Sequence, residues 1–507
     1  MGVRQFSMSG TGRALARPFV RAVAVLGAAA MLSGCIIVGY EKPDLNLDVP
    51  DSYKAAHKGP DSALPPLDWW RTFRSSELTL LMEEAQTANF DIAAAVARIR
   101  QADALVRIAN AALLPTLDAN FDATRTRTAV LGGALRGGSP VSSLYNLNLT
   151  ASYTLDFWGK NRATVLAAEE NAIFSRFDKD VVALTALVSV ANTYFNILDA
   201  QDRLRVAREN LTASSKILDL IKQRDQAGTA SQLEVSQQQS LVETQRASIP
   251  PLEITLQQSK AALALLVGRA PEHFIAAGGS TYRIAIPRIA PGLPSELINQ
   301  RPDIREAEAN LKSANFSVEA ARAAFFPTIS LTGETGFESL ALSSLFGPGA
   351  WFYTMTAAAA QPIFHGGALL GALEQAQGHQ LEFLQDYRKA VLSGFSDVEQ
   401  ALIAVQQQAL HERYQRAVVR ASKQAFDISF QRLQQGTLDM VTLTQTQQTL
   451  FTAQDTLAQV RLARLQAVVS LYQALGGGWS PPPREIAAAV ESKPFIGPNP
   501  DPTAAPK

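Results

Sequence analysis

The 507-residue chain holds a single cysteine, Cys35, so no disulfide can staple it internally and no set of thiolates can hold zinc or an iron–sulfur cluster. Its five histidines, His57, His273, His365, His379 and His411, show no metal-ligand spacing, and a Gly-rich phosphate loop, a nucleophile elbow and an HExxH helix are missing too. Acidic pairs such as Glu83-Glu84 and Glu169-Glu170 read as solvated helix faces. Catalysis is left without groups to perform it, and the chain is expected neither to be an enzyme nor to carry a cofactor. Charge is scarce as well, at 18% of residues against roughly 25% in ordinary soluble domains. Gln, Ala, Ser and Thr fill the difference, which gives faces that are polar without being charged. Lysine plus arginine equals aspartate plus glutamate at 46 each, so nothing in the balance recruits nucleic acid.

What the N-terminus does have is one-sided. Arg4, Arg13, Arg17 and Arg21 precede an uncharged run over residues 22–32, and no acid occurs before Cys35. This is the layout of a secretory signal, expected to be absent from the mature protein, and its 11 apolar residues are too few to span a bilayer. Losing residues 1–34 removes four arginines and no acid, which leaves a mature charge near −4.

Four stretches alternate apolar and polar residues with the period of a strand. In residues 144–156, Tyr145, Leu147, Leu149, Ala151, Tyr153 and Leu155 alternate with Asn146, Asn148, Thr150, Ser152, Thr154 and Asp156. In residues 116–124, Leu117, Ala119, Phe121 and Ala123 oppose Asp118, Asn120, Asp122 and Thr124. The Gly-rich segment 131–143 separates the two like a hairpin loop. A second pair, 328–337 and 351–363, alternates less cleanly because residues 357–360 are all alanine. Four strands cannot close a barrel, the smallest bacterial ones having about 8, so several chains would have to share one.

The chain also repeats itself. Arg224-Asp225-Gln226-Ala227-Gly228-Thr229 returns as Arg432-Leu433-Gln434-Gln435-Gly436-Thr437, 208 residues on. Gly268 and Gly476 keep the same separation, Phe157-Trp158-Gly159 matches Phe364-His365-Gly366, and Leu114-Pro115-Thr116 matches Phe326-Pro327-Thr328. Each copy reads helix, Pro, strand, loop, strand, Gly, long helix, Gly turn, helix. The long helices are expected over 159–226 and 367–434, on the order of 100 Å each, and the shorter ones over 229–265, 295–325 and 438–475. Residues 181–198 carry no charge, yet Thr185, Ser189, Asn192, Thr193 and Asn196 form one polar stripe, which predicts a wall helix rather than a membrane span.

Several ordered motifs carry a resemblance. Ala94-Ala95-Val96-Ala97-Arg98-Ile99 before Pro115, Tyr153-Thr154-Leu155-Asp156-Phe157-Trp158-Gly159-Lys160, Gly292-Leu293-Pro294-Ser295 with Arg301-Pro302-Asp303-Ile304, Ala321-Arg322-Ala323-Ala324-Phe325-Phe326-Pro327 and Leu475-Gly476-Gly477-Gly478-Trp479 together resemble the TolC-like outer-membrane efflux channels, lipoprotein (NodT) branch, over about residues 35–480. Leu32-Ser33-Gly34-Cys35 likewise resembles a bacterial lipoprotein signal, with Ile36 rather than Asp favouring the outer membrane.

The resemblance implies a mainly α fold with a membrane β-barrel. It also implies a homotrimer giving four strands per chain to one 12-stranded barrel, above an α-helical tunnel in the periplasm. The corresponding organisation is a signal peptide at 1–34, a lipidated extended segment at 35–70, a first repeat at 71–270, a linker at 271–294, a second repeat at 295–478 and a Pro-rich tail at 479–507. The resemblance also implies passive conduction, with a periplasmic adaptor and a proton-driven inner-membrane pump as partners beside outer-membrane lipid, and a covalent lipid at Cys35. Organic toxic compounds and antibiotics are the family's default cargo. The three methionines left after the signal, Met82, Met355 and Met440, offer no thioether path for copper or silver.

By the same resemblance the turns at Gly228 and Gly436 form the periplasmic tip, with Arg224, Asp225, Gln232, Gln434, Asp439 and Val441 at or near the closed end. Relatives carry an acid in a Leu-Asp-Ala-Gln-like stretch beyond the second turn. Here the sequence is Leu443-Thr444-Gln445-Thr446-Gln447, so Gln445 stands where the acid is expected. A conduit for protein secretion and a non-porous periplasmic coiled-coil lipoprotein are the alternatives, the second having no need of strand pairs.

Overall fold

The computed structural model describes residues 65–127, 141–287 and 294–479, with 47, 50, 52–54 and 289. The signal, Cys35, most of the segment that follows it, and residues 480–507 lie outside the described residues. The chain divides into two compact units, each drawing on both halves of the sequence.

One unit gathers Ile99–Ser175 and Ala307–Tyr387. Its centre is an antiparallel sheet of strands β1 (Thr116–Arg127), β2 (Val141–Leu155), β3 (Thr328–Ser339) and β4 (Trp351–Ala360), paired in that order. The strands begin where helices must stop. Pro115 and Pro327 have no N–H to give a helix, and each precedes the first strand residue, where the loss costs nothing. At the strand-to-helix junction, Asp156 accepts the backbone N–H groups of Asn161 at 3.0 Å and Arg162 at 2.9 Å, filling donors that a helix start leaves free. Trp158 stacks on Phe326 with ring centroids 4.9 Å apart and donates Nε1–H to the Pro327 carbonyl at 2.7 Å.

The second unit gathers Arg176–Glu306, the described part of Asn46–Arg98 and the chain from Arg388 to residue 479. Helices α1 (Ser76–Ala88) and α2 (Phe90–Ala111) open the described chain. Between the strand pairs run α3 (Lys160–Gln226), α4 (Gln232–Leu266), α5 (Pro294–Gln300) and α6 (Pro302–Ala323). After β4 come α7 (Ala368–Gln434) and α8 (Met440–Ala474). The duplication is literal: α3 and α7 have 67 residues each, and α4 and α8 have 35 each.

The main core of this unit is aromatic. Trp69 stacks on Tyr472 at 5.0 Å, and Phe73 lies 5.2 Å from Phe195, with Met82, Ile197, Leu198 and Leu263 fully buried around them. Helix α3 is long and apolar enough to cross a membrane. Its uncharged window instead buries Val190, Ala191, Phe195 and Ile197 in this core, while Thr185, Ser189, Asn192, Thr193 and Asn196 stay on the less buried side. The polar stripe thus lies on the side of the helix away from this core.

Three helix boundaries differ from the sequence reading. The helix expected over 295–325 is broken at Arg301, because the ring of Pro302 disfavours helical backbone in the residue before it. Arg301 uses the break to donate to the Ala474 carbonyl at 3.1 Å and to Asp303 and Asp397 at 2.7 and 3.0 Å. The return helices start later than expected, at Gln232 and Met440, since Ser231 and Asp439 act as N-caps. Strand β4 stops at Ala360, short of the expected 363, with Pro362 just beyond it.

Glu412, 1% exposed, receives Arg416, Arg464 and Arg461 at 2.5, 2.7 and 3.3 Å. Burial acts to raise its pKa, but the bond from Arg464 and the charges of Arg461 and Arg416 outweigh it and hold the carboxyl below its usual range. Arg461 also donates to the Thr281 and Ile284 carbonyls, tying that connector to α8.

Asp199 is less well served. Its Oδ1 is buried without a partner, Arg203 is 4.0 Å away and is engaged bidentately by Asp455, and burial pushes the Asp199 carboxyl up from 3.8 to about 6. Well below pH 3.8 the group is neutral in folded and unfolded chains alike; as pH rises towards 6 the unfolded chain ionises it first, and stability is lost. Asp199→Asn is therefore expected to match the wild type at about pH 3 and to exceed it by about 1–3 kcal/mol above pH 6. Thermal melts of both proteins across that range check this, and a difference that stays flat with pH would refute it.

Candidate functional site

Two places in the molecule are built for more than packing. The first is the sheet, whose register sorts every strand residue by face. Leu117, Ala119, Phe121 and Ala123 pair with Ala151, Leu149, Leu147 and Tyr145. Those in turn pair with Gly333, Thr335, Phe337 and Ser339, and the rows end on Met355, Tyr353 and Trp351 of β4. One face is thus predominantly apolar, interrupted on β3 by Gly333, Thr335 and Ser339. Exposures of 70% at Leu117, 86% at Met355 and 59% at Trp351 show that these positions are left open among the described residues. An apolar sheet face this size is a surface for hydrocarbon.

The opposite face is polar and acidic. Asp118 pairs with Thr150, which pairs with Glu334, and Asp122 pairs with Asn146, which pairs with Glu338. Asn120 donates to Asn148 at 3.3 Å, and Asn148 donates onward to Glu334, so side chains bridge three strands. Gly336 is required beside this ladder, since a Cβ there would lie 2.2 Å from the Leu147 carbonyl oxygen. Strands β1 and β4 end the sheet, and each leaves one edge unpaired among the described residues.

The second place is the pair of helical turns, which repeat bond for bond. The N–H of Gly228 reaches the Asp225 carbonyl at 2.9 Å and that of Thr229 reaches Arg224 at 2.8 Å; Gly436 and Thr437 make the same bonds to Leu433 and Arg432 at 3.0 and 2.9 Å. The closure needs a left-handed residue, and the φ values of Gly228 and Gly436 are +73° and +69°. Ser231 and Glu234 then form a capping box, and Asp439 accepts the Thr442 N–H at 2.9 Å, which holds its carboxyl below the usual range.

Of the residues expected at the tip, Arg224 joins the two turns: its Nη1 donates to the Leu433 carbonyl at 3.2 Å and Nη2 reaches Thr229 at 3.5 Å. Ile217, Leu218, Ile221, Val235, Leu433, Met440 and Leu443 pack the turns together behind it. Gln232, Gln434, Val441 and Gln445 are exposed, and Asp225 is half-buried.

The sequence reading missed a buried polar relay beside this cluster. Gln238 and Gln447, both fully buried, donate to the carbonyl and hydroxyl of Ser214, each at 3.0 Å. The signal was present for Gln447, because Met440, Leu443, Gln447 and Leu450 step alternately by three and four, which puts a glutamine at a core position.

Comparison with known proteins fits this geometry. Two segments, residues 81–269 and 293–477, match the outer membrane efflux protein family, one in each half of the chain. The pyoverdine export outer membrane protein OpmQ of Pseudomonas putida is 37% identical over 447 residues, 86% of this chain and 93% of that protein. The solvent efflux pump outer membrane protein SrpC of Pseudomonas putida is 31% identical over 459 residues, 89% and 97% of the two chains. The crystal structure of the open state of the Neisseria gonorrhoeae MtrE outer membrane channel superposes with a TM-score of 0.78 at 30% identity, over 87% of this chain and 98% of that one.

The face assignment predicts opposite fates for neighbouring residues. Leu149→Arg puts a cation among the apolar rows and should destabilise the inserted protein by about 2–4 kcal/mol, with reduced yield in the membrane. Thr150→Arg lies between Asp118 and Glu334 and should insert normally. Urea unfolding from lipid vesicles distinguishes the two; equal stability would refute the assignment of faces, and a greater loss in Thr150→Arg would reverse it.

Proposed function

The chain belongs to the outer membrane efflux protein family, and on that footing we propose how it carries out its task. It is the outer-membrane channel component of an efflux pump. The observation that carries the mechanism is the sheet with one hydrocarbon face, one acidic face and two open edges. Three copies close those edges into a barrel of twelve strands, β1 of one against β4 of the next. The apolar rows then meet lipid and the Asp118, Asp122, Glu334 and Glu338 rows line the pore. Conduction is passive, as the family membership supports. A periplasmic adaptor and a proton-driven inner-membrane pump supply coupling and work.

Cys35 carries the lipid anchor, a tether added to the hold of the barrel, each buried CH₂ contributing roughly 0.8 kcal/mol. The turns at Gly228 and Gly436 are the periplasmic gate, with Arg224, Asp225, Gln232, Gln434, Asp439, Val441 and Gln445 around it. Toxic organic compounds and antibiotics are the cargo. Similarity to a pyoverdine export protein supports a second reading, export of a compound of that kind. Accumulation of each compound class in a strain lacking the gene decides between them.

Native mass in mild detergent tests the assembly: three chains, each carrying lipid mass that Cys35→Ala removes, are expected. A lipid-free monomer would refute both assembly and anchor. The gate is tested separately in planar bilayers. Arg224→Ala removes the bond between turns and should raise open-channel conductance several-fold, while Gln445→Asp adds a ring of carboxylates and should make the current sensitive to multivalent cations. Wild-type currents in both variants would move the gate elsewhere.

A further inference from the structure

The apolar face of the sheet ends in charge. On β1, beyond Ala123, the same face continues with Arg125 and Arg127, paired with Ser143 and Val141 of β2. Both arginines are exposed, and among the described residues neither side chain has a hydrogen bond or ion pair. No aspartate or glutamate occurs anywhere between Asp122 and Asp156, a stretch that also contains Arg136. The nearby acid on β3, Glu338, belongs to the opposite face, opposite Asn146.

Depth follows from strand geometry. From Leu155 to Tyr145 the apolar row climbs ten residues, about 34 Å along the strand and about 26 Å along the barrel axis at a tilt of about 40°, which matches an apolar band about 25 Å tall. Aromatic rings cluster at the upper end of that band. Trp351 lies 5.5 Å from Tyr353, and Phe337 lies 5.3 Å from Phe346. Arg125 stands one same-face step above Tyr145 and Arg127 one step higher, about 5 and 10 Å beyond the hydrocarbon. The helices leave the other end of the strands, so this end belongs to the outer leaflet.

We propose that Arg125 and Arg127 form an outward-facing clamp for the phosphate groups of the phosphorylated glycolipid of the outer leaflet. Guanidinium is the side chain suited to it, since its fork binds a phosphate through two parallel N–H donors. Two arginines spaced two residues apart on one strand face lie about 7 Å from each other, within reach of one headgroup. A soluble anion would have no reason to be read at this depth, beside an aromatic belt and on the lipid side of the sheet.

The inference rests on the barrel reading, and the test separates the two. The full-length assembly is placed in nanodiscs, and affinity is measured for lipid A bearing both phosphates and for the same lipid with the phosphates removed. The wild type should prefer the phosphorylated lipid about thirtyfold, about fivefold for each guanidinium near a charged surface. Arg125→Gln with Arg127→Gln should abolish the preference while native mass and conductance stay unchanged, and the double lysine variant should keep part of it. Equal affinity of the wild type for both lipids would overturn the proposal, as would an unchanged preference in the glutamine variant. Displacement of the lipid by an excess of inorganic phosphate would overturn the lipid assignment as well. Failure of the wild type to insert at all would overturn the barrel itself.

Discussion

A backbone that crosses hydrocarbon must satisfy its hydrogen bonds within protein, because nothing else there can. This chain enters that environment with a sheet whose two edges are open among the described residues. The consequence is that the single chain cannot be the working unit, however well its helices pack. Closure by further copies makes each edge an interface and converts a two-faced sheet into an inside and an outside. The acidic rows then gain a purpose as a lining, and the alternation of strand residues becomes a division between lipid and water. Asn120, Asn148 and Glu334 extend that logic sideways, joining three strands through side chains on the wet face.

The helical unit meets a related demand by different means. Helices satisfy their own backbones, so what needs partners is the polar side chains caught between them. Glu412 is met by three arginines, and Gln238 and Gln447 share Ser214. Asp199 alone among the carboxylates described above carries a buried oxygen without a partner. A mostly neutral polar vocabulary of Gln, Ser and Thr suits such a place, since a neutral group costs far less to bury than a charge.

Much of this was legible in the sequence, and the reasons are local. Period-two alternation fixed β1 and β2, and the glycines at 228 and 436 marked the ends of α3 and α7 because a left-handed residue closes those turns. The strand pair of the second copy was harder to read, since residues 357–360 are small on both faces; only the register against β2 shows which alanines share the lipid side. The break at Arg301 was available from Pro302 and went unread. Long-range partners were not available at all. Nothing near Ser214 announces that Gln447 will arrive from more than two hundred residues away, or that Arg224 will reach across to Leu433.

The equal lengths of the paired helices restrict how such a chain can change over generations. Deleting one residue from α3 alone would shift its turn by about 1.5 Å and rotate it by about 100° relative to its counterpart, so that Arg224 would no longer meet the Leu433 carbonyl. The two halves can drift in sequence, and have, but their lengths cannot drift independently. Viable insertions and deletions should come in matched pairs at corresponding places, so that both turns move together. The ancient doubling thus survives as a ruler, kept by both copies long after their residues diverged.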